Sequence, residues 1–400
     1  MLIHLLLFCS LVGLISCTVF LGLLTVASRG LKRANESADA NPDALPRVSI
    51  LKPVHGLEPE LERSLESFFL QDYPSYEIVF GCRYEGDPAL RVVNILRERH
   101  PNVPVKVILS GEPDRPNAKV CSLERMVQAA ETDYLIISDS DVHVAPDYLR
   151  AVVAPLLDPK VGLVTCLYRG VATGGFWSRL EALGMSVELT SGVIIANMLE
   201  GMKFALGPTM ATRRDVLAAI GGVGVLADYH ADDYVLGEKV DQAGYKVVLS
   251  QHIVEHIVLN RRFLDSFRHQ VRWTKSTRFS RPKGHIGAGL TFATPFGIIA
   301  AICCMILNAP IWAAALLGWA LLSRMLQAIV AGWETVGDRE SLAYCWLYPA
   351  RDFLGFILWS ASFMGSTFFW RGERYRFQAG GRIICDVPRT DSPLSEAAGD

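Results

Sequence analysis

The sequence predicts an α/β domain with a mostly parallel sheet, flanked by membrane-spanning helices. Residues 47–140 alternate short β-branched runs with helically spaced apolar faces, the order that builds a parallel sheet covered on both sides. Half of the 400 residues are hydrophobic and the mean hydropathy is positive, which is too apolar for an ordinary soluble enzyme. Long, nearly uncharged stretches near both ends of the chain account for the excess.

Leu2–Ala27 carries no charge apart from a protonated His4. At ~1.5 Å per residue it is long enough to cross the ~30 Å hydrocarbon core of a bilayer. Arg29, Lys32 and Arg33 follow it, whereas a cleaved signal peptide carries its charge before the apolar core. The positive-inside rule then puts the N-terminus outside and the bulk of the chain in the cytoplasm. Asn35–Pro46 reads as a polar linker. Strands are expected at Val48–Leu51, Ile78–Cys82, Val105–Leu109 and Tyr134–Ser138. Helices are expected at Glu60–Leu70, around Val92, Ile95 and Leu96, and at Lys119–Ala130 with Asn117 near its start. In such sheets ligands bind beyond the carboxyl ends of the strands, so Lys52, Arg83–Asp87 and Asp139 should converge on one crevice. No glycine-rich phosphate loop is present.

The fourth strand runs into Asp139-Ser140-Asp141. Two carboxylates at a strand tip repel one another unless a cation sits between them. Oxygen ligands select Mg²⁺ or Mn²⁺, which commonly share their coordination sphere with substrate phosphates. The plainer alternative is an Asp-rich turn followed by a helix cap at Asp147. Asp232-Asp233 precedes a helical segment; it is either an N-terminal cap or the source of a general base. Arg268–Lys275 is either a basic interfacial helix or the site of an Arg272 that neutralises a diphosphate, with Trp273 as a flat wall. His252 and His256 read as satisfied surface histidines, with metal ligation as the other possibility. Nine cysteines without a C-x-x-C suit thiols in a reducing compartment, and a formal charge of -2 without a basic tract excludes a nucleic-acid binder.

Beyond residue 280 the apolar runs are Gly287–Ile306, Ala309–Trp333 and Phe353–Trp370. Gly, Pro and Arg324 leave the middle run open to a re-entrant or interfacial reading. Arg371, Arg374 and Arg376 favour a cytoplasmic tail, which three plain spans would not allow. Thr390–Asp400 reads as disordered. The expected organisation is an anchor (1–28), a linker (29–46), a catalytic domain (47–285), a membrane region with two to four hydrophobic segments (286–370) and a tail (371–400).

Leu51-Lys52-Pro53-Val54-His55-Gly56, Leu65–Phe69, Asp72–Glu77, Asp87-Pro88-Ala89, Pro116–Lys119, Asp139-Ser140-Asp141, Asp232-Asp233-Tyr234 and Arg272–Lys275 occur in the order found in ceramide glucosyltransferases. Over residues 47–280 the chain resembles that family, including bacterial relatives that glycosylate hopanoids. The resemblance implies a GT-A fold, with a Rossmann-like nucleotide-binding half, in a multi-pass membrane protein (of the inner membrane if bacterial). It implies inverting transfer of a hexose from a UDP-sugar to a lipid hydroxyl. Asp87 resembles the aspartate that reads uracil, Asp139 and Asp141 the diphosphate–metal motif, and Asp233 the catalytic base. Arg272 and Trp273 resemble the end of the (Q/R)-x-x-R-W signature; Lys52 and Lys119 join the donor-binding set. His269 departs from the first position of that signature. Eukaryotic members tend to carry glycine where this chain has Asp141. Other readings are UDP-N-acetylglucosamine transfer to a hopanoid, a processive polysaccharide synthase, and an inactive UDP-sugar-binding membrane protein.

Overall fold

The computed structural model describes residues 1–34, 45–370 and 372–386. Most of the linker, Arg371 and the whole of 390–400 lie outside the described residues. Strands β1 (Val48–Pro53), β2 (Tyr76–Cys82), β3 (Val105–Leu109), β4 (Tyr134–Ile137), β5 (Val142–His143), β6 (Val161–Ala172), β7 (Met210–Arg213) and β8 (Lys246–Val258) form one sheet in the order β3-β2-β1-β4-β7-β6-β8-β5. β3, β2, β1 and β4 are parallel, and β7 pairs antiparallel with both β4 and β6. A Rossmann-like parallel half is thus continued by a mixed half, as expected of a GT-A domain.

The parallel strands are buried on both faces, which is why their sequence runs apolar without alternating. Val48, Ile50, Leu51, Ile78, Val79, Leu135 and Ile136 are fully buried. Burial of each such side chain stabilises by about 1.5–3 kcal/mol before the entropy of ordering is set against it. The short β5 pairs with β8 so that Val142 faces His256. That pairing carries the turn after β4 toward the far half of the sheet.

Of the helices, α1 (Leu2–Ala34) leads the chain, and α2 (Ala118–Ala129), which comes after two shorter helices at Leu61–Glu66 and Ala89–Arg99, is capped by the Asn117 side chain at the Val120 amide. Next come α3 (Phe176–Glu200), α4 (Asp232–Gln242), α5 (Phe263–Ser280), α6 (Pro282–Thr291), α7 (Ala293–Ile306), α8 (Pro310–Thr335) and α9 (Tyr348–Ser362). Among the described residues, α1, α3 and α8 are long and apolar enough to cross a membrane; α6 and α7, bent by 48°, would make a fourth. α1 packs on α7 and α8 through small residues, with Trp319 Nε1 donating to Thr18 Oγ1 at 2.9 Å.

Three expectations change. The helix expected over Glu60–Leu70 is confined to Leu61–Glu66. The run Phe353–Trp370 is not one span: α9 ends at Ser362, and Thr367–Trp370 is a strand, β9. With β10 (Glu373–Phe377) and β11 (Ile383–Cys385), β9 makes a separate antiparallel sheet. α3 was not foreseen as apolar enough to cross, because charges at Arg179, Glu181 and Glu188 interrupt it. Arg324 on α8 is almost fully buried; it lies 3.5 Å from Asp352 and donates to the Thr291 carbonyl at 2.7 Å. A buried arginine in an apolar helix is tolerated when paired in this way.

Candidate active site

One cavity of about 940 Å³ opens beyond the carboxyl ends of β1, β2, β3 and β4. Asp139, Asp141, Asp233, Lys119, Arg272 and Trp273 all reach its wall. Residues far apart along the chain therefore meet in one cleft, because Asp139 and Asp141 follow the end of β4, Lys119 and Asp233 lie in the first turns of α2 and α4, and α5 carries Arg272 and Trp273.

Lys119 Nζ lies 2.7 Å from Asp139 Oδ1 and 3.2 Å from Asp232 Oδ2. Burial opposes the charge on Lys119, but Asp139 and Asp232 outweigh it and hold the ammonium above its ordinary range. Asp233 Oδ2 accepts from the Gly207 amide at 2.8 Å, and Oδ1 from the Tyr234 amide at 2.7 Å. Burial, followed by repulsion from Asp232, pushes the Asp233 carboxyl up to about 6, although Lys119 pulls the other way. Gly207 sits between two carboxylates: a Cβ there would lie 3.0 Å from Asp139 Oδ2 and 3.3 Å from Asp233 Oδ2. Only a residue without a side chain fits comfortably at that approach.

Arg272 Nη1 donates to His230 Nε2 at 3.0 Å, and His230 Nδ1 bonds Ser276 Oγ at 2.9 Å. Burial, reinforced by the charge on Arg272, pushes His230 down to about 3, so the ring is neutral and accepts from the guanidinium. His230 is held in turn by β9 and β10: Phe368, Trp370 and Phe377 ring centroids lie 5.1, 5.2 and 5.3 Å away. Trp370, Glu373 and Tyr375 of that sheet also line the cavity. Nothing in the sequence marked His230, Gly207 or the small sheet as part of the site; a motif search sees neighbours in sequence, and these are neighbours only in space.

Two expected donor-binding residues stand behind the wall. Lys52 is fully buried, and its ammonium bonds the Asp139 backbone carbonyl, with Ser138 Oγ at 3.3 Å and the Phe68 ring centroid at 3.7 Å. Burial pushes it down to about 7, against the pull of Asp139 and Asp141. Asp87 is 2% exposed; Oδ1 accepts from the Gly56 and Ala89 amides at 2.8 and 2.9 Å, and Oδ2 lies 3.1 Å from His55 Nδ1. His55, not Asp87, is on the cavity wall. His269 reaches the wall, but its Nδ1 lies 2.7 Å from Glu181 Oε1, so that nitrogen is committed within the protein.

Asp141 and His256 are the side chains here whose donors suit a divalent cation. Asp141 Oδ1 and His256 Nδ1 are buried without hydrogen-bond partners and face one another at 3.6 Å, a separation too long for a hydrogen bond. A carboxylate oxygen and an imidazole nitrogen left orphaned together would hold a divalent ion such as Mn²⁺ more readily than Mg²⁺, which favours oxygen ligands. No group of three or more His, Cys, Asp or Glu side chains is arranged to ligate a metal among the described residues. Of the expected pair of metal carboxylates, Asp139 has Oδ1 at 2.7 Å from Lys119 Nζ.

This cleft, with its carboxylates and cations beyond a Rossmann-like half, is that of a glycosyltransferase. The sequence model of glycosyl transferase family 21 matches residues 6–383, and the chain belongs to that family. Ceramide glucosyltransferase 1 of Caenorhabditis elegans is 25% identical over 356 residues, covering 88% of this chain and 76% of the relative. The ceramide glucosyltransferase of Komagataella phaffii is 37% identical over 107 residues, covering 26% of this chain and 21% of its own length. Among solved structures, the mannosyltransferase PcManGT from Pyrobaculum calidifontis, in complex with GDP-Man and Mn²⁺, aligns over 87% of this chain and 98% of its own. The identity is 19% and the TM-score 0.48.

Proposed function

We propose that this chain transfers a hexose from a UDP-sugar to the hydroxyl of a membrane lipid, by a single inverting displacement at the cytoplasmic face. The observation that carries the reading is the meeting of Asp139, Asp141, Asp233, Lys119 and Arg272 on one cavity that continues between apolar helices. Membership of family 21 and the ceramide glucosyltransferase relatives support a lipid acceptor.

Asp233 takes the proton from the acceptor hydroxyl. Its carboxyl, raised to about 6, is ionised at neutral pH yet more basic than an ordinary aspartate. Two backbone amides hold it in place. Arg272, oriented by His230, and Lys119, oriented by Asp139 and Asp232, meet the negative charge that grows on the departing diphosphate. Asp141 and His256 would hold a divalent cation, which when bound supplies Lewis-acid stabilisation of that charge. Trp273, with its ring centroid 4.7 Å from that of His269, is the flat wall beside the sugar. Asp87 fixes the His55-Gly56 turn and acts on the nucleoside end through it. Single displacement needs no covalent nucleophile.

The test incubates membranes containing the chain with labelled UDP-glucose or UDP-N-acetylglucosamine and with ceramide or hopanoid acceptors. A labelled glycolipid of inverted anomeric configuration is expected. No lipid product from any pairing would overturn the reading, and a retained configuration would overturn the single displacement.

A further inference from the structure

The reaction cavity has a second, apolar arm that the chemistry above does not use. Along α3, Leu189, Val193, Ala196 and Leu199 line it between Glu188 and Glu200, which are paired with Arg351 and Arg281, and Ala288 and Phe292 of the α6–α7 bend line it as well. Leu189 to Leu199 is ten residues of helix, or roughly 15 Å, about half of a ~30 Å hydrocarbon core. The arm is therefore about as long as one leaflet is deep.

Two glycines on its wall are not explained by close packing. Gly13, Gly289 and Gly297 let helices approach closely: a Cβ at each would strike Phe296, Trp359 or Ala320 at 2.5, 2.6 and 2.3 Å. Gly192 on α3 and Gly287 on α6 also sit inside helices and line the cavity, yet a Cβ at either would meet nothing within 4 Å. Glycine destabilises a helix interior relative to alanine, and here no close packing requires it. What these two positions do is keep space open beside an apolar wall that joins the reacting carboxylates.

We propose that this arm binds a hydrocarbon chain of the acceptor lipid, and that Gly192 and Gly287 set how much chain it admits. The occupant follows from continuity. A group that presents its hydroxyl to Asp233 must place the rest of itself along the cavity, and this wall offers apolar contact. The inference rests on the lipid-acceptor reading and names how that lipid is held.

The experiment uses the full chain in lipid nanodiscs, a labelled UDP-sugar, and two acceptors that share a head group but carry short or long acyl chains. Gly192→Leu and Gly287→Leu are compared with the unaltered protein, and UDP binding is measured in parallel. The expected result is that the ratio of long-chain to short-chain kcat/KM falls at least about tenfold, the effect of one methylene too many in an apolar pocket. An unchanged ratio with UDP binding intact, including equal loss for both acceptors, overturns the proposal. Should a leucine variant lose UDP binding, Gly192→Ala and Gly287→Ala carry the same comparison: a lowered ratio supports the proposal and an unchanged one overturns it. Failure of the unaltered protein to glycosylate either lipid would instead count against the lipid-acceptor reading itself.

Discussion

Asp233 is a buried carboxylate whose neighbours oppose its charge, and that has a measurable consequence. Burial and Asp232 push its carboxyl up to about 6, so on the proposed base role protonation below that pH removes the base. Turnover is expected to fall about tenfold per unit as pH drops through the range below 6, and to level off above it. A pH–rate profile checks this; a limb centred near 4 would contradict it. His230 acts through Arg272. His230→Ala removes the acceptor at 3.0 Å, and a hydrogen bond to a charged group contributes about 1.5–3 kcal/mol. Roughly ten- to hundredfold loss of kcat/KM is expected, with part regained in His230→Gln. For the cation, Asp141→Asn and His256→Ala should each weaken Mn²⁺ binding by more than the roughly 10–100-fold that loss of a mere supporting partner costs. Calorimetric titration with Mn²⁺ reads this without reference to activity, and unchanged binding would remove both as ligands.

At the scale of elements, α5 delivers Arg272 and Trp273, and its position is fixed from α3. Glu181 on α3 gathers His269 at 2.7 Å, Ser266 at 2.6 Å and Asn260 at 2.9 Å while being 2% exposed itself. His269 is thus a tie between helices. Glu181→Leu leaves these donors unpaired and should lower stability by about 1–3 kcal/mol, read as a reduced thermal midpoint in detergent. His269→Gln, which keeps a donor toward Glu181, should stay near the original midpoint; equal loss in both would contradict the tie. The sheet of β9, β10 and β11 does similar work on the opposite side. The Ile383 amide donates to the Asp228 carbonyl at 2.7 Å, and the His230 amide to the Gly381 carbonyl at 3.3 Å. The loop that leads into Asp232 and Asp233 is therefore held partly by the C-terminal end.

At the scale of the whole molecule, α1 and α8 present apolar surface outward, Leu5, Phe8, Ile15, Ile311 and Trp312 among it, as chains in a bilayer do. Phe20 of α1 and the α6–α7 bend line the cavity that gathers the candidate site residues. Much of this was legible in the sequence. The parallel strands announce themselves by β-branched runs, and Asp139, Asp141, Asp233, Arg272 and Trp273 by short motifs in order. Other parts were not legible, for physical reasons. Asp87 and Lys52 carry the right chemistry but serve from beneath the wall, since a sequence shows residue type and not which side of a turn is wet. His230 meets Arg272 across 42 residues, and no local pattern encodes that contact. The run Phe353–Trp370 looked like a span because its apolar residues are continuous; Gly365, with φ of 71°, lies in the turn that separates helix from strand. The Asp141–His256 pairing arises from β5 lying against β8, a sheet register that composition cannot reveal. All of these contacts converge on the one cavity for which Asp233 is proposed as the base. The most direct measurement is turnover and UDP-sugar binding in purified Asp233→Asn. UDP-sugar affinity near that of the unaltered protein, with turnover reduced at least about a hundredfold, is the expected result. Full turnover by that variant would contradict it.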